Sequence, residues 1–342
     1  MGNKRSILFI SLYNKIFASA RYRVYNVAKF LKNNKKIFVK IIYLINPYQN
    51  TLIGLCHYYF SLLLIRFYYL WFDVIYMHKT HLSNFELFFL KKFLKKKIII
   101  SIDDLPANSM LNINPKFIDV VLCGSDYIQN LFSKRNFNAV FWPTTIPKNK
   151  LSYKKREKKY NKKNNNEVII GWIGSSCGEY YIPPIITTLD KLRKQYTFKF
   201  KIVTSKYFIN YYPEDILNRK YVIFEEWHLK NEWSYFDKID ILIMSLDDSN
   251  RSKAKGGFKI LQAMFRGVVP VAYYTKANAY FITDGLNGFL YKNEKELEDK
   301  LELLLKNEDL REKFILNSYK ILEEKKLYFE DKVEELWQYL RD

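Results

Sequence analysis

The stretch SLDDSNRSKAKGGFKILQAMFRGVVPVA, residues 245–272, gathers Arg251, Lys253, Lys255 and Lys259 around a Gly256-Gly257 break, where a polar loop turns into an apolar-patterned segment. A helix N-terminus already attracts anions, through its aligned peptide dipoles and unpaired N–H groups. Ammonium groups gathered there suit phosphate oxygens, and the glycines let backbone N–H groups approach closely. If the helix starts near Gly257, then Phe258, Leu261, Met264 and Phe265 form an apolar face, while Lys255, Lys259 and Gln262, at i, i+4 and i+7, share another. The competing reading is a solvated basic face, which a chain of formal charge +21 offers in many places.

Three further groupings have chemical potential. VIIGWIGSSCGEY (168–180) reads as a strand, a small-residue turn at Gly174-Ser175-Ser176, and a helix beginning around Tyr181 to Pro184. Such a turn presents N–H and hydroxyl donors at the carboxyl end of a strand, where open sheets bind ligands; an ordinary tight β–α turn would look the same. FASARYRVYNVAKFL places Arg21 and Arg23 at the first strand–helix junction. Their forked guanidinium groups could hold a carboxylate or phosphate bidentately, or form surface ion pairs. IIISIDDLP (98–106) ends a strand in Asp103 and Asp104, which could accept from a sugar hydroxyl, act as a base, cap a turn, or pair with Arg21 or Arg23.

Metal chemistry finds little support. Asp247 and Asp248 are adjacent carboxylates without a third oxygen ligand, and His78 and His81 in HKTH lack cysteine neighbours. No metal and no cofactor is expected. There is no Ser–His–Asp pattern, nucleophile elbow or Walker loop, which weakens hydrolase and NTPase readings.

The elements that must position these residues follow an alternation of short apolar runs and helical patterns, the signature of parallel α/β layers. SILFISLY, FVKIIYLI, DVIYMHK, KIIISID, DVVLCGS and AVFWP are the strands expected in the first half, and EVIIGWIGS, FKFKIVTS, YVIFEEW, DILIMSL, VPVAYY and GFLYK those in the second. Between them KNKLSYKKREKKYNKKNNNE is polar, basic and without apolar periodicity, as a solvated linker would be. The tail is helical by periodicity, with Asn293, Asn307 and Asp309 near helix starts. Two α/β domains are expected: 1–150, a basic linker at 151–166, a second domain at 167–325, and a final helix at 326–342 that packs back on the first.

Composition narrows the partners. The 342 residues are 49% hydrophobic, enough for two cores, and +21 calls for an anionic partner: nucleic acid, an acidic membrane face or a phosphorylated small molecule. Aromatic residues reach 18% but lie mostly inside apolar runs rather than in a stacking motif, so nucleic acid is the least favoured. Cys56, Cys123 and Cys177 are too far apart for a zinc site or disulfide framework, which fits a reducing cytoplasm. LIGLCHYYFSLLLIRFYYLWF (52–72) is the one long apolar run; His57 and Arg66 interrupt it, so it reads as a buried or membrane-touching helix rather than a span.

The block from WHLKNEW to NGFLY (227–291) resembles the donor-site region of nucleotide-sugar-dependent GT-B glycosyltransferases, in particular the retaining family 4 and its relatives. KGGFKILQAM is similar to a subgroup pattern with two lysines four apart followed by a glutamine, and KANAYFITDGLNGFL to the segment that closes the site. EVIIGWIGS resembles the strand opening the donor domain, and SARYRVYN and SIDDLP agree more loosely with the first domain.

The resemblance implies two Rossmann-like α/β domains facing a central cleft, with C-terminal helices returning to the first domain. It implies transfer of a sugar from a nucleotide diphosphate to a glycan or lipid-linked acceptor, as in bacterial surface polysaccharide synthesis. Lys255 and Lys259 would contact the diphosphate, Gln262 the ribose, and Asn278 and Ala279 the diphosphate or sugar. Gly174 and Ser175 would face the phosphates, with Arg251 in the same cationic cluster and Trp227 and Glu232 near the base. The acceptor hydroxyl must be held near the anomeric carbon, and Asp103 or Asp104, with Arg21 or Arg23, are the candidates for holding it. The family's pair of glutamates falls here on Ala254 and Gln262, a departure that keeps an inactive relative or a GT-B-like epimerase as alternatives. A basic nucleic-acid- or membrane-binding protein is the third. The expected location is cytoplasmic, with peripheral contact to the anionic inner face of the cell membrane.

Overall fold

The computed structural model describes residues 5–45, 52–148, 167–174, 178–206, 216 and 218–341. The expected linker at 151–166 and Ser175 lie outside the described residues. The chain divides into two compact units. One comprises Met1–Thr145, Lys253–Gly256 and Phe329–Asp342, the other Ile146–Ser252 and Gly257–Tyr328.

In the first unit β1 (Ser6–Tyr13) leads into helix α1, which runs from Ala18–Ala20 through a π turn at Arg21–Tyr25 into Asn26–Asn34. Then follow β2 (Phe38–Ile45), α2 (Leu52–Tyr68), β3 (Val74–His78), α3 (Asn84–Lys92), β4 (Lys97–Ile102), β5 (Val120–Cys123), α4 (Asp126–Ser133) and β6 (Ala139–Phe141). The strands form one parallel sheet in the order β2-β1-β3-β4-β5-β6. Runs such as KIIISI are apolar without alternation because helices cover both faces of a parallel sheet. Leu8, Ile10 and Ile100 point into one core and Ile7, Phe9 and Ile99 into the other. α3 starts at a capping box in which Ser83 and Glu86 satisfy each other's backbone N–H groups.

The second unit contains β7 (Val168–Ile173), α5 (Gly178–Leu192), β8 (Phe198–Thr204), β9 (Val222–Glu226), β10 (Ile241–Met244), α6 (Phe258–Phe265), β11 (Val269–Tyr273), α7 (Lys276–Phe281), β12 (Phe289–Tyr291), α8 (Glu294–Lys306) and α9 (Glu308–Glu324). Its strands form a second parallel sheet, β12-β11-β10-β7-β8-β9. α5 begins three residues ahead of Tyr181, so Pro183 and Pro184 fall inside it rather than at its start. Asn293 and Asn307 cap α8 and α9, each accepting from the backbone N–H three residues on.

Helix α10 (Phe329–Arg341) belongs to the first unit. Val333, Leu336 and Leu340 are fully buried in the same core as Phe9 and Tyr76, and Trp142 Nε1 donates to Lys332 O at 3.1 Å. The segment Lys253–Gly256 also belongs there, with Ala254 buried in the core that holds Ile100 and Cys123. The units are thus interleaved along the chain.

Candidate active site

In a parallel sheet every strand delivers its following loop to the carboxyl edge, so candidate residues after different strands converge there. In the second unit the loop after β10 ends at Gly257, whose φ of +66° is left-handed, and α6 begins at the next residue. A side chain is excluded at Gly257 by Phe281 as well, since a Cβ would stand 2.8 Å from its ring. Lys259 therefore sits in the first turn of α6, with its ammonium 5.9 Å from the Trp172 ring centroid. Trp172 in turn lies against Gly174, where a Cβ would fall 1.9 Å from the indole. The small residue after β7 is required by that indole.

Gln262, one turn further on α6, is buried and donates from Nε2 to Glu232 Oε1 at 3.3 Å. Asn278 in α7 is fully buried. Its Nδ2 donates to Tyr273 O at 2.8 Å, and its Oδ1, which has no hydrogen-bond partner among the described residues, lies beside Gly257. An orphaned buried amide oxygen costs free energy unless something donates to it. Ala279, next to Asn278, and Trp227, just after β9, are half-buried, and the backbone N–H of Trp227 donates to Thr204 O at 2.8 Å. Arg251 is exposed on the short helix Asn250–Lys253.

Lys255 departs from the expected stripe. The helix starts only at Phe258, so Lys255 precedes the glycine break instead of standing one turn before Lys259. It belongs to the first unit, where its Nζ pairs with Asp104 Oδ1 at 2.8 Å.

That pair is one edge of a four-charge cluster at the carboxyl ends of β3 and β4. Lys79, which follows β3 in a left-handed conformation (φ 55°), reaches Asp103 at 3.0 Å and Asp104 at 2.5 Å. A non-glycine residue in that conformation is held by its surroundings, and such positions concentrate at functional sites. Burial opposes the charge on both partners, yet their attraction dominates: the Asp103 carboxyl is held well below the usual range and the Lys79 ammonium above it. Asp103 is accordingly a poor proton acceptor and a good hydrogen-bond acceptor.

Arg23 is not an acceptor ligand. Its guanidinium is fully buried and its donors are engaged inside the first unit: Nε to Ser101 Oγ at 2.9 Å, Nη1 to Trp142 O at 2.7 Å and Thr144 Oγ1 at 3.2 Å, and Nη2 to Leu122 O at 3.0 Å. The register explains this, because Ser101 of β4 and Leu122 of β5 are opposed at the sheet's carboxyl edge. Neither aspartate forms an ion pair with Arg21 or Arg23 among the described residues; lysines take that part. Arg21 is half-buried and donates to Lys15 O and Ile16 O at 3.0 and 2.9 Å, holding the β1–α1 turn.

Two residues beside Asp103 carry no motif in the sequence. Patterning gives no reason to single out Lys79, and it offers His78 only as a chelator. The available signal is positional: DVIYMHK is a strand, so its last residues reach the carboxyl edge. His78 is fully buried, its Nδ1 3.1 Å from Ser101 O and its Nε2 3.9 Å from Asp103 Oδ1. Burial lowers its pKa from the ordinary 6.5 to about 3, with Asp103 pulling the other way and too weakly to prevail.

The folded imidazole thus holds its proton less tightly than the unfolded one, and its contribution to stability is present above pH 6.5 and lost as pH falls toward 3. Urea unfolding across this range should show stability falling by up to about 1.4 kcal/mol per pH unit for this one proton. His78→Asn should flatten the slope between roughly pH 6 and 4.5, above the range where the acidic groups titrate. An unchanged slope would mean that the imidazole is not buried neutral.

Residues 153–321 match the family described as Glycosyl transferases group 1. No curated protein matches the sequence. Among solved structures, a glycosyltransferase from Rickettsia africae ESF-5 superposes with a TM-score of 0.71 at 15% identity, over 99% of this chain and 100% of that one. The Anabaena protein Alr3699/HepE, in complex with UDP and glucose, gives 0.70 at 13% identity, over 98% and 99%. WaaG, described as a glycosyltransferase involved in lipopolysaccharide biosynthesis, gives 0.69 at 13% identity, over 96% and 98%. The fold is GT-B.

Proposed function

Since residues 153–321 form a glycosyl transferases group 1 domain, making this chain a glycosyltransferase, we propose that the second unit binds a nucleotide-diphosphate sugar around the start of α6. The observation that carries this reading is the conjunction of the Gly257 turn, Lys259 in the first helical turn and the orphaned Asn278 Oδ1 beside them. Negative charge builds on the departing diphosphate, and a fixed ammonium with helix N–H dipoles stabilises it without having to reorganise. Asn278 Oδ1 can accept from a sugar hydroxyl while its Nδ2 stays on Tyr273 O. Gln262 stands where the wider family has a glutamate, and it holds Glu232 in place; Glu232 then offers a carboxylate to the ribose. This supports an active enzyme over an inactive relative.

In the first unit, Asp103 and Asp104 hold acceptor hydroxyls as hydrogen-bond acceptors, with Lys79 and Lys255 paired to them and fixing the carboxylates in place. Retention of anomeric configuration, a cytoplasmic location and a glycan or lipid-linked acceptor of a surface polysaccharide belong to the same proposal. No metal is needed for this chemistry, since among the described residues Lys259 and α6 supply the positive potential. The excess of cations favours peripheral attraction to an anionic membrane, each Lys or Arg near such a surface contributing about 1 kcal/mol.

Thermal shift against UDP, GDP, ADP and CMP tests the donor site. A structural neighbour was solved with UDP, so UDP is the first expectation. At about 100-fold excess over Kd a ligand adds roughly 2.7 kcal/mol of stability, enough for a shift of several degrees. A rise selective for one base identifies the donor class, and no response to any nucleotide overturns the reading.

A further inference from the structure

Helix α2 is apolar on both sides, with Tyr58, Leu62, Leu64, Ile65 and Tyr68 packed on the core and a second apolar face left outside. The side turned to the sheet holds Ser61 and His57, the latter 3.2 Å from Tyr43 O, together with Ile65. The outward side carries Tyr59, Phe60, Leu63 and Phe67, each between 57% and 65% exposed, and Trp71 just beyond the helix is 70% exposed. A surface helix ordinarily presents polar residues there, and a contiguous apolar face of this kind marks something that covers it.

Cations border this face. Lys96 Nζ donates to Leu70 O at 3.0 Å, next to Trp71. Arg66 pairs with Glu86 of α3 at 2.9 Å, joining the two helices. Residues 52–97 contain seven Lys and Arg against two Asp and Glu, and two of the seven, Lys79 and Lys91, pair with Asp103, Asp104 and Asp119 outside that stretch. One of those acids is Glu86, and the other, Asp73, accepts from the Ser6 N–H and hydroxyl.

We propose that the outer face of α2, with Trp71, inserts into the interface of an anionic phospholipid bilayer and lies in its plane. Among the described residues no helix is long and apolar enough to cross a membrane, and 17 residues of helix extend only about 26 Å, short of a hydrocarbon core of roughly 30 Å. Apolar side chains bordered by Lys and Arg, with aromatic rings at the edge, are the chemistry of an interfacial helix. A second copy of the chain fits less well, because a two-fold contact through this face would bring the same basic rims together. The inference rests on the peripheral-membrane reading above and adds to it insertion of named side chains, where charge alone gives only adsorption.

The full chain is tested by co-sedimentation with vesicles of three parts phosphatidylcholine to one part phosphatidylserine, at about 0.1 M and about 0.5 M NaCl, the higher of which screens surface charge. The double variant Leu63→Glu, Phe67→Glu is compared with wild type and with Leu316→Glu, an exposed leucine of the second unit. Both sets of positions are exposed, so melting temperatures should match and report intact folding.

The expected result is a salt-resistant bound fraction in wild type and Leu316→Glu, with partitioning of the double variant reduced at least about tenfold. Brominated lipid should quench tryptophan emission in wild type and less so in Trp71→Phe. Complete release by salt, or equal binding of the double variant, overturns insertion and leaves electrostatic adsorption standing. No sedimentation even at low salt overturns both. A dimer in solution that the double variant dissociates would assign the face to a second copy and overturn the proposal.

Discussion

Replacing Lys259 by alanine is expected to lower the rate of sugar transfer by about 10²- to 10³-fold, the usual effect of removing one preorganised group that stabilises developing negative charge. The ammonium stands in the first turn of α6, beside the ring of Trp172, and has both the helix dipole and the Gly257 turn with it. Most of the loss should appear in kcat, because the charge on the diphosphate grows as the glycosidic bond breaks. Lys259→Arg should recover part of the rate, since it keeps the charge while changing its shape. Lys255→Ala makes an informative contrast. Lys255 is engaged with Asp104, so its removal should act mainly through the acceptor and cost less. Equal losses at the two positions would show instead that both lysines meet the diphosphate. Steady-state kinetics with the donor base identified by thermal shift would decide between them.

Arg23→Met should destabilise the first unit by roughly 2–3 kcal/mol. The methionine fills much of the volume but leaves the carbonyls of Leu122 and Trp142 and the hydroxyls of Ser101 and Thr144 without their shared donor. Each buried acceptor so orphaned costs about 1–3 kcal/mol before relaxation. The guanidinium also stacks over the Trp142 ring at 4.6 Å, and methionine has no charge with which to replace that cation–π attraction. Arg23→Lys should rescue little, because one compact ammonium cannot reach acceptors that the planar fork meets together. Chemical unfolding followed by circular dichroism would give the difference, and a loss below about 1 kcal/mol would contradict a guanidinium that satisfies all four groups.

The strands β1 to β12 coincide with the apolar runs in the sequence, because in a parallel sheet buried on both faces the strand signal is continuous. The start of α6 is equally legible: two glycines before FKILQAMF can end a loop and open a helix whose apolar face follows from spacing alone. The same argument misplaces Lys255, since it extends helical periodicity across the left-handed Gly257. The partner of Lys255, Asp104, lies 151 positions away, beyond any local pattern. Arg23 reads as a ligand because arginines are seldom wholly buried. Only the register that brings Ser101 and Leu122 together shows that its acceptors are within the protein. Trp172 reads in a strand as core, and its role beneath Lys259 depends on a glycine two residues later.

The discontinuous first unit has a consequence for synthesis. Its sheet is complete when Phe141 has been made, but α10, whose Val333, Leu336 and Leu340 close one of its two cores, follows only after the whole second unit. While the second unit is being made, the first therefore keeps exposed the apolar surface that α10 will cover, and surface of that kind invites aggregation until the helix arrives.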